Sequence, residues 1–181
     1  MGDDCGDHVM SPSDEKLKSD LILDELKRRQ RTKEVVDVDE ERVKVVIFRC
    51  GANLFAFYGR DIREILPPCD ISWVPSLPDY LPGLINVRGD IESVIDLRHF
   101  LGEEKVDHDK RLIAMAVHGE FHSGVMIKSI EDVVDIPLST IHPPLATLNG
   151  AARDLVIGEI EYSGETISLL DIGKLAVLVA L

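Results

Sequence analysis

The side chains able to do chemistry are few and widely spread. His118 and His122 stand either side of Gly119, a spacing that would let them face each other across a hairpin, and His99, His108 and His142 add possible nitrogen ligands. No recognised zinc spacing is completed among them. The cysteines, Cys5, Cys50 and Cys69, form no C-x-x-C and are odd in number, against both a zinc site and a secreted disulfide framework; Cys50 and Cys69 read as small apolar strand residues. G-x-S-x-G, P-loop and G-x-G-x-x-G are absent, and the serines lie far from any patterned His/Asp pair. Solvated turn histidines are the favoured reading, with no catalytic group, metal or cofactor expected. A small metal-dependent enzyme stays as the alternative from another class, because folding can gather residues distant in sequence. What remains is a polar knuckle, Asn86-Val87-Arg88-Gly89-Asp90, set between two apolar runs, and a carboxylate in Ile62-Arg63-Glu64-Ile65. An arginine fork and a carboxylate are binding groups, for each other or for a partner's opposite charge.

The elements that position these residues follow from composition and pattern. A chain of 181 residues, 45% hydrophobic, suffices for one domain of ordinary size or two small subdomains sharing a core. Its formal net charge of −13 works against a phosphate backbone, and no Lys/Arg run supplies a basic stripe, so nucleic acid is not an expected partner. No stretch approaches the roughly 18 to 20 apolar residues of a membrane span, and the acidic start, GDDCGDH, is the opposite of a basic secretory leader. The expected location is the cytosol, without membrane insertion.

Residues 1–42 form a separate charged extension, helical or partly disordered. Ser11-Pro12-Ser13-Asp14 has the order of a helix start, and Asp14/Lys18, Asp24/Arg28 and Glu25/Arg29 are acid-first i,i+4 pairs. Its apolar stripe, Leu17 and Leu21 with Leu26 at its margin, is too narrow to hold a helix unless it docks.

From Val43 the pattern is β. Lys44–Cys50 and Leu54–Tyr58 make a hairpin over Gly51-Ala52-Asn53; Ile62–Leu66 alternates; Ile71–Val74 reads as a short strand bounded by prolines; and the knuckle joins two more strands. The second half then repeats the first. A shift of 68 places sets Gly51 over Gly119, Ile62 over Ile130, Glu64 over Asp132 and Ile65 over Val133; a shift of 75 sets Gly83 over Gly158, Gly89 over Gly164 and Asp96 over Asp171. Repeats at about 43–102 and 111–181 point to two related small β-barrels that share apolar surface. Ile47, Phe57, Ile65, Leu84, Val94, Met115, Val125, Val133, Ile157 and Leu169 are the expected core.

The repeat also separates architecture from candidate function. Gly89 and Gly164 recur at tight turns where positive φ is needed, and Asp96 and Asp171 each read as the N-cap of a short terminal helix. Arg88 does not recur: Ser163 stands in its place. Arg88 therefore either pairs with Glu64 to shape the surface or meets an acidic partner group.

At these residues the chain resembles the CheW family, the adaptors of bacterial chemotaxis arrays. The pattern P-x-Y-x-x-G-x-I-N-x-R-G at Pro78–Gly89 and V-I-D-L-R at Val94–Arg98 carries the likeness, with Gly-Val-x-Ile at Gly124–Ile127 and L-L-D-I at Leu169–Ile172. The resemblance implies a mostly β fold of two intertwined SH3-like five-stranded barrels with short helices, and no catalysis. It also implies two partners, the regulatory domain of the histidine kinase CheA and the cytoplasmic tip of methyl-accepting chemoreceptors, and so recruitment to membrane-bound receptor arrays. The resemblance associates Arg88 and Glu64 with receptor engagement, and Asn86, Val87 and Lys128 join them as expected partner-binding residues. Three positions depart from the pattern: Val87 replaces a usual Leu, Ser93 a frequent Pro, and Lys128 an Asp. The reversal at Lys128 alters charge in the second half and points toward a divergent paralogue, so a scaffold for a different kinase pathway, such as a motility-type one, is the second reading.

Overall fold

A computed structural model of the chain describes residues 40–103, 111–145 and 150–180; the expected leader helix lies outside them. Two runs rich in β-branched and aromatic residues, β1 (Arg42–Cys50) and β2 (Asn53–Tyr58), pair as a hairpin. They are followed by β3 (Ile62–Leu66), β4 (Gly83–Val87), β5 (Asp90–Asp96) and a short helix α1 (Arg98–Leu101). The second half repeats the order as β6 (Leu112–His118), β7 (Phe121–Ile127), β8 (Ser129–Pro137), a helix α2 (Gly150–Leu155), β9 (Val156–Tyr162), β10 (Glu165–Leu170) and α3 (Ile172–Val179).

The two halves do not form one sheet each. One sheet runs β8-β1-β2-β10-β9 and the other β3-β6-β7-β5-β4. Replacing every strand by its repeat equivalent turns the first order into the second. Each half keeps its opening hairpin in one sheet and sends its last three strands to the other, with parallel pairings of β10 with β2 and β5 with β7 marking the crossing. Neither half can complete a sheet alone, which is how two repeats too small for cores of their own become one domain.

The core follows this exchange. Val45, Ile47, Ala56, Ile160, Ile167 and Leu169 fill one sheet's interior, and Ile85, Val87, Val94, Ile113, Met115 and Met126 fill the other's. Between them lies a larger cluster drawn from both halves, including Phe48, Phe57, Ile95, Leu97, Val125, Leu170 and Leu175. Strand β1 is buried on both faces, Val45 and Ile47 toward one cluster and Phe48 and Cys50 toward the other, so its apolar run is continuous rather than alternating.

Two shared glycines have a steric cause. A Cβ at Gly83 would run into the carbonyl of Ser72, and one at Gly158 would meet the Ile141 side chain and the carbonyl of His142. At each place a crossing segment makes a single bridge to the sheet edge, Ser72 with Leu84 and His142 with Glu159. This bridge is all that the expected strand Ile71–Val74 contributes.

Several expectations are corrected. Ile65 and Val133 are exposed, at 37% and 49%, rather than buried. Strand alternation puts Ile62, Glu64 and Leu66 inward on β3, and Ile130, Asp132 and Val134 inward on β8, so the apolar residue between falls on the outer face in both halves. Leu84 and Ile157 are half-buried. Cys69 lies exposed outside any strand, whereas Cys50 is buried. Asp171 caps α3 through Lys174 N at 2.8 Å; at α1 the N-cap position is Leu97 rather than Asp96, yet the Asp96 carboxylate still satisfies the helix start by accepting the Arg98 N–H at 3.1 Å.

Candidate functional site

The knuckle is a two-residue turn. Val87 pairs with Asp90 across β4 and β5, leaving Arg88 (φ 56°) and Gly89 (φ 103°) as the loop, both with the positive φ that matches the twist of a tight hairpin. Asn86 Oδ1 accepts the Gly89 N–H at 2.9 Å and holds the turn. Gly89 meets this geometry without cost, but an arginine there is strained by about 1 kcal/mol. The equivalent turn in the second half, Ser163 (φ 52°) and Gly164 (φ 83°), repeats the conformation. The backbone is therefore architecture, and only the side chain on it distinguishes the two.

Arg88 Nη2 donates to Glu64 Oε2 at 2.7 Å, with 77% of the Arg88 side chain exposed and 20% of Glu64. The contact spans the whole sheet, because β3 and β4 are its opposite edges. Laid flat, four strand spacings of roughly 4.8 Å would part those edges by about 19 Å, so a direct ion pair requires the sheet to curl until they meet. The second sheet closes in the same place with other chemistry: Tyr162, beside its turn, donates its hydroxyl to Asp132 Oδ2 at 3.0 Å, joining edges β9 and β8. That hydrogen bond pushes the Tyr162 hydroxyl above its ordinary pKa, with burial and the Asp132 charge acting the same way. Asp132 is the repeat equivalent of Glu64, so one barrel is closed by an ion pair and the other by an uncharged donor.

Of the residues singled out by sequence, Arg88, Glu64 and Asn86 come together at this seam. Val87 does not present its side chain there, since it is buried at 6% exposure in the core cluster with Ile85 and Met115; it anchors the turn from beneath. Lys128 is exposed between β7 and β8, where its N–H donates to Arg49 O at 2.8 Å, and no contact links it to the knuckle. Sequence reasoning missed Tyr162 and also Arg63, whose Nε lies 3.6 Å from Glu64 Oε1. Its signal was available in the repeat, where Arg63 stands over Glu131.

The end of the β4–β5 hairpin opposite the turn is held by buried polar groups. Asp96 and Arg98 form a close pair, Nε to Oδ1 at 2.8 Å and Nη2 to Oδ2 at 2.5 Å, with side chains only 8% and 10% exposed. Burial alone would push the Asp96 carboxyl up, but the hydrogen bonds and charge of Arg98 outweigh it and leave it below the usual carboxylate value. The Asp96 N–H donates to Tyr80 O at 2.9 Å, and the Tyr80 hydroxyl to Val179 O at 3.4 Å. The segment leading into β4 is thus tied both to the end of β5 and to α3.

The described histidines do not assemble, and His108 lies outside the described residues. His118 pairs with Phe121 and His122 with Val117, so the two imidazoles occupy opposite faces of their hairpin. His118 Nδ1 sits instead 3.6 Å from Asp61 Oδ1. Among the described residues no group of three His, Cys, Asp or Glu side chains is placed to hold a metal ion, and no helix is long and apolar enough to cross a membrane.

Comparison with known proteins gives one consistent answer. Residues 44–179 match the CheW-like domain family. Protein FrzA of Myxococcus xanthus is 31% identical over 71% of this chain and 81% of its own. Chemotaxis protein CheW of Treponema pallidum is 25% identical over 76% of this chain and 84% of its own. The crystal structure of the scaffolding protein TtCheW from Thermoanaerobacter tengcongensis superposes with a TM-score of 0.67 at 24% identity, covering 72% of this chain and 90% of that one; at that identity the likeness is one of fold.

Proposed function

The chain belongs to the CheW-like family, adaptors in chemotaxis-type signalling, and from that premise we propose that it is a non-enzymatic coupling protein joining chemoreceptors to the histidine kinase CheA. Its partners are the kinase regulatory domain and the receptor's cytoplasmic tip, and it acts at membrane-bound receptor arrays. Holding both partners at once raises the effective concentration of each for the other, so modest separate affinities suffice for a cooperative assembly.

The observation that carries this reading is the Arg88–Glu64 pair. It is a charged contact on a strained turn, standing 77% exposed on the arginine side where the equivalent turn has only Ser163. An ion pair this open to water contributes about 0–1 kcal/mol, so a partner carboxylate can take over the Arg88 guanidinium at little cost to the fold. Glu64 and Asn86 define and orient the contact surface, and Lys128 belongs to a separate surface.

The test is retention of both partners. Immobilised chain should hold a CheA regulatory fragment and a receptor tip fragment together, and loss of the receptor alone with Arg88→Glu supports the assignment. Failure to retain either fragment defeats it. One observation favours a second reading: the relative at 31% identity carries the name FrzA, whereas the Treponema protein named CheW stands at 25%. The same architecture would then serve a different kinase pathway, which the identity of the kinase retained from a matched set decides.

A further inference from the structure

The bulges in both third strands fall at equivalent positions and carry opposite charges. On β3, Ile62 pairs with Ala116 and Glu64 with Met115, leaving Arg63 as the extra residue. On β8, Ile130 pairs with Phe48 and Asp132 with Ile47, leaving Glu131. An extra residue drops out of the ladder and its side chain is re-aimed, which is why bulges occur beside binding sites. Glu131 is held by its neighbours, accepting from Ser129 Oγ at 2.8 Å and Arg49 Nε at 3.3 Å. Arg63 is held far less: its side chain is 46% exposed, and its approach to Glu64 Oε1, at 3.6 Å, is beyond hydrogen-bond distance. That oxygen is closed off from solvent without a hydrogen-bond partner, while Oε2 takes Arg88.

Two arginines thus flank one carboxylate, in a chain whose formal net charge is −13. Arg60, stacked 4.6 Å from the Tyr58 ring centroid in the turn entering β3, adds a third positive charge. Ile65 lies two residues beyond Arg63, exposed in the same strand alternation.

We infer that Arg63 is a second cationic contact for the receptor-type partner at the Arg88 knuckle, so that this surface selects a segment bearing at least two carboxylates beside an apolar residue. The inference rests on the adaptor reading and adds the partner's charge to it. The bulge also governs the manner of docking. It interrupts the row of edge hydrogen bonds on β3, so the partner is read through side chains rather than by adding a strand.

The test uses the full chain and two probes: the cytoplasmic tip fragment of a chemoreceptor from the same genome, and that fragment with its exposed Glu and Asp changed to Gln and Asn. Arg63→Glu should weaken binding to the acidic fragment by on the order of tenfold and flatten its salt dependence, as expected for an interfacial charge at the rim. Arg63→Gln should have a smaller effect in the same direction, and neither should alter binding to the neutralised fragment. Arg153→Glu, an exposed change on α2, should leave both unaffected. Wild-type affinity and salt dependence in folded Arg63→Glu and Arg63→Gln overturn the inference and leave the adaptor reading standing. Failure of the wild-type chain to bind the acidic fragment at all overturns both.

Discussion

Tyr162 donates its hydroxyl to Asp132 Oδ2 at the place in the second barrel where Arg88 and Glu64 close the first. The two seams use repeat-equivalent strands, the same turn conformation and an inward carboxylate, and differ in what answers that carboxylate, Arg88 from the turn in one and Tyr162 from the strand beside the turn in the other. Closing a curled five-stranded sheet needs a contact between its edges, but it does not need an ion pair. The charge in the first seam is therefore surplus to architecture.

Exchanging the two closing residues separates these roles. Arg88→Glu should leave a folded protein, since the substituted side chain stands in water at a 77% exposed position where its repulsion of Glu64 is screened, while receptor coupling is lost. Tyr162→Phe should change neither the fold nor receptor binding. Circular dichroism with a binding titration on the same samples checks both.

The glycines divide steric crowding from backbone strain. Gly89 has open space where a Cβ would go, so Gly89→Ala should cost only the conformational penalty of positive φ, about 1 kcal/mol. Gly83→Ala must push aside the Ser72 carbonyl, and should cost about 2–4 kcal/mol as it breaks the bridge to Leu84. Denaturant midpoints for the two variants give the comparison.

Asp96 and Arg98 predict an acid limb of defined sign. The Asp96 carboxyl is held below its ordinary value when folded, so its contribution is complete at neutral pH and is lost as pH falls below about 4 through the folded value. Asp96→Asn leaves a buried arginine without its counter-charge and should cost about 3–5 kcal/mol at pH 7. The gap to wild type should stay constant down to about pH 5 and narrow below pH 4. Urea unfolding from pH 2.5 to 7 tests it, and a gap that widened with acid would refute the assignment.

Cys50 and Cys69 report on the shared core. Burial, aided by the negative charge of Asp96, pushes the Cys50 thiol up to about 12, so almost no thiolate exists at pH 8. Cys69 is exposed. Iodoacetamide at pH 8 should modify Cys69 in the native protein and Cys50 only on unfolding, as read by peptide mass mapping.

Much of this arrangement was legible in the sequence, because the repeat preserves what the fold requires. Gly83 over Gly158 marked the two close backbone crossings, Gly89 over Gly164 the two turns, and Arg88 over Ser163 a difference in side chain on a shared turn. Strand phase was less legible. The motif Ile-Arg-Glu-Ile-Leu offers apolar residues on both faces, and burial was assigned to Ile65 when strand alternation, with Ile62, Glu64 and Leu66 inward, puts it outside. Val133 was misassigned for the same reason. The exchange of three strands between sheets rests on pairings between distant segments, such as Arg42 with Pro137, which no local pattern encodes. The Tyr162–Asp132 seam escaped notice because matching by position sets Ser163, not Tyr162, opposite Arg88.

The adaptor claim itself is tested most directly by reconstituting CheA, receptor and this chain in membranes and measuring phosphoryl flux through the kinase with and without it. The account predicts receptor-dependent kinase activation that requires the chain and falls with Arg88→Glu. Flux unchanged by adding the folded chain, with no binding to either partner, would contradict it.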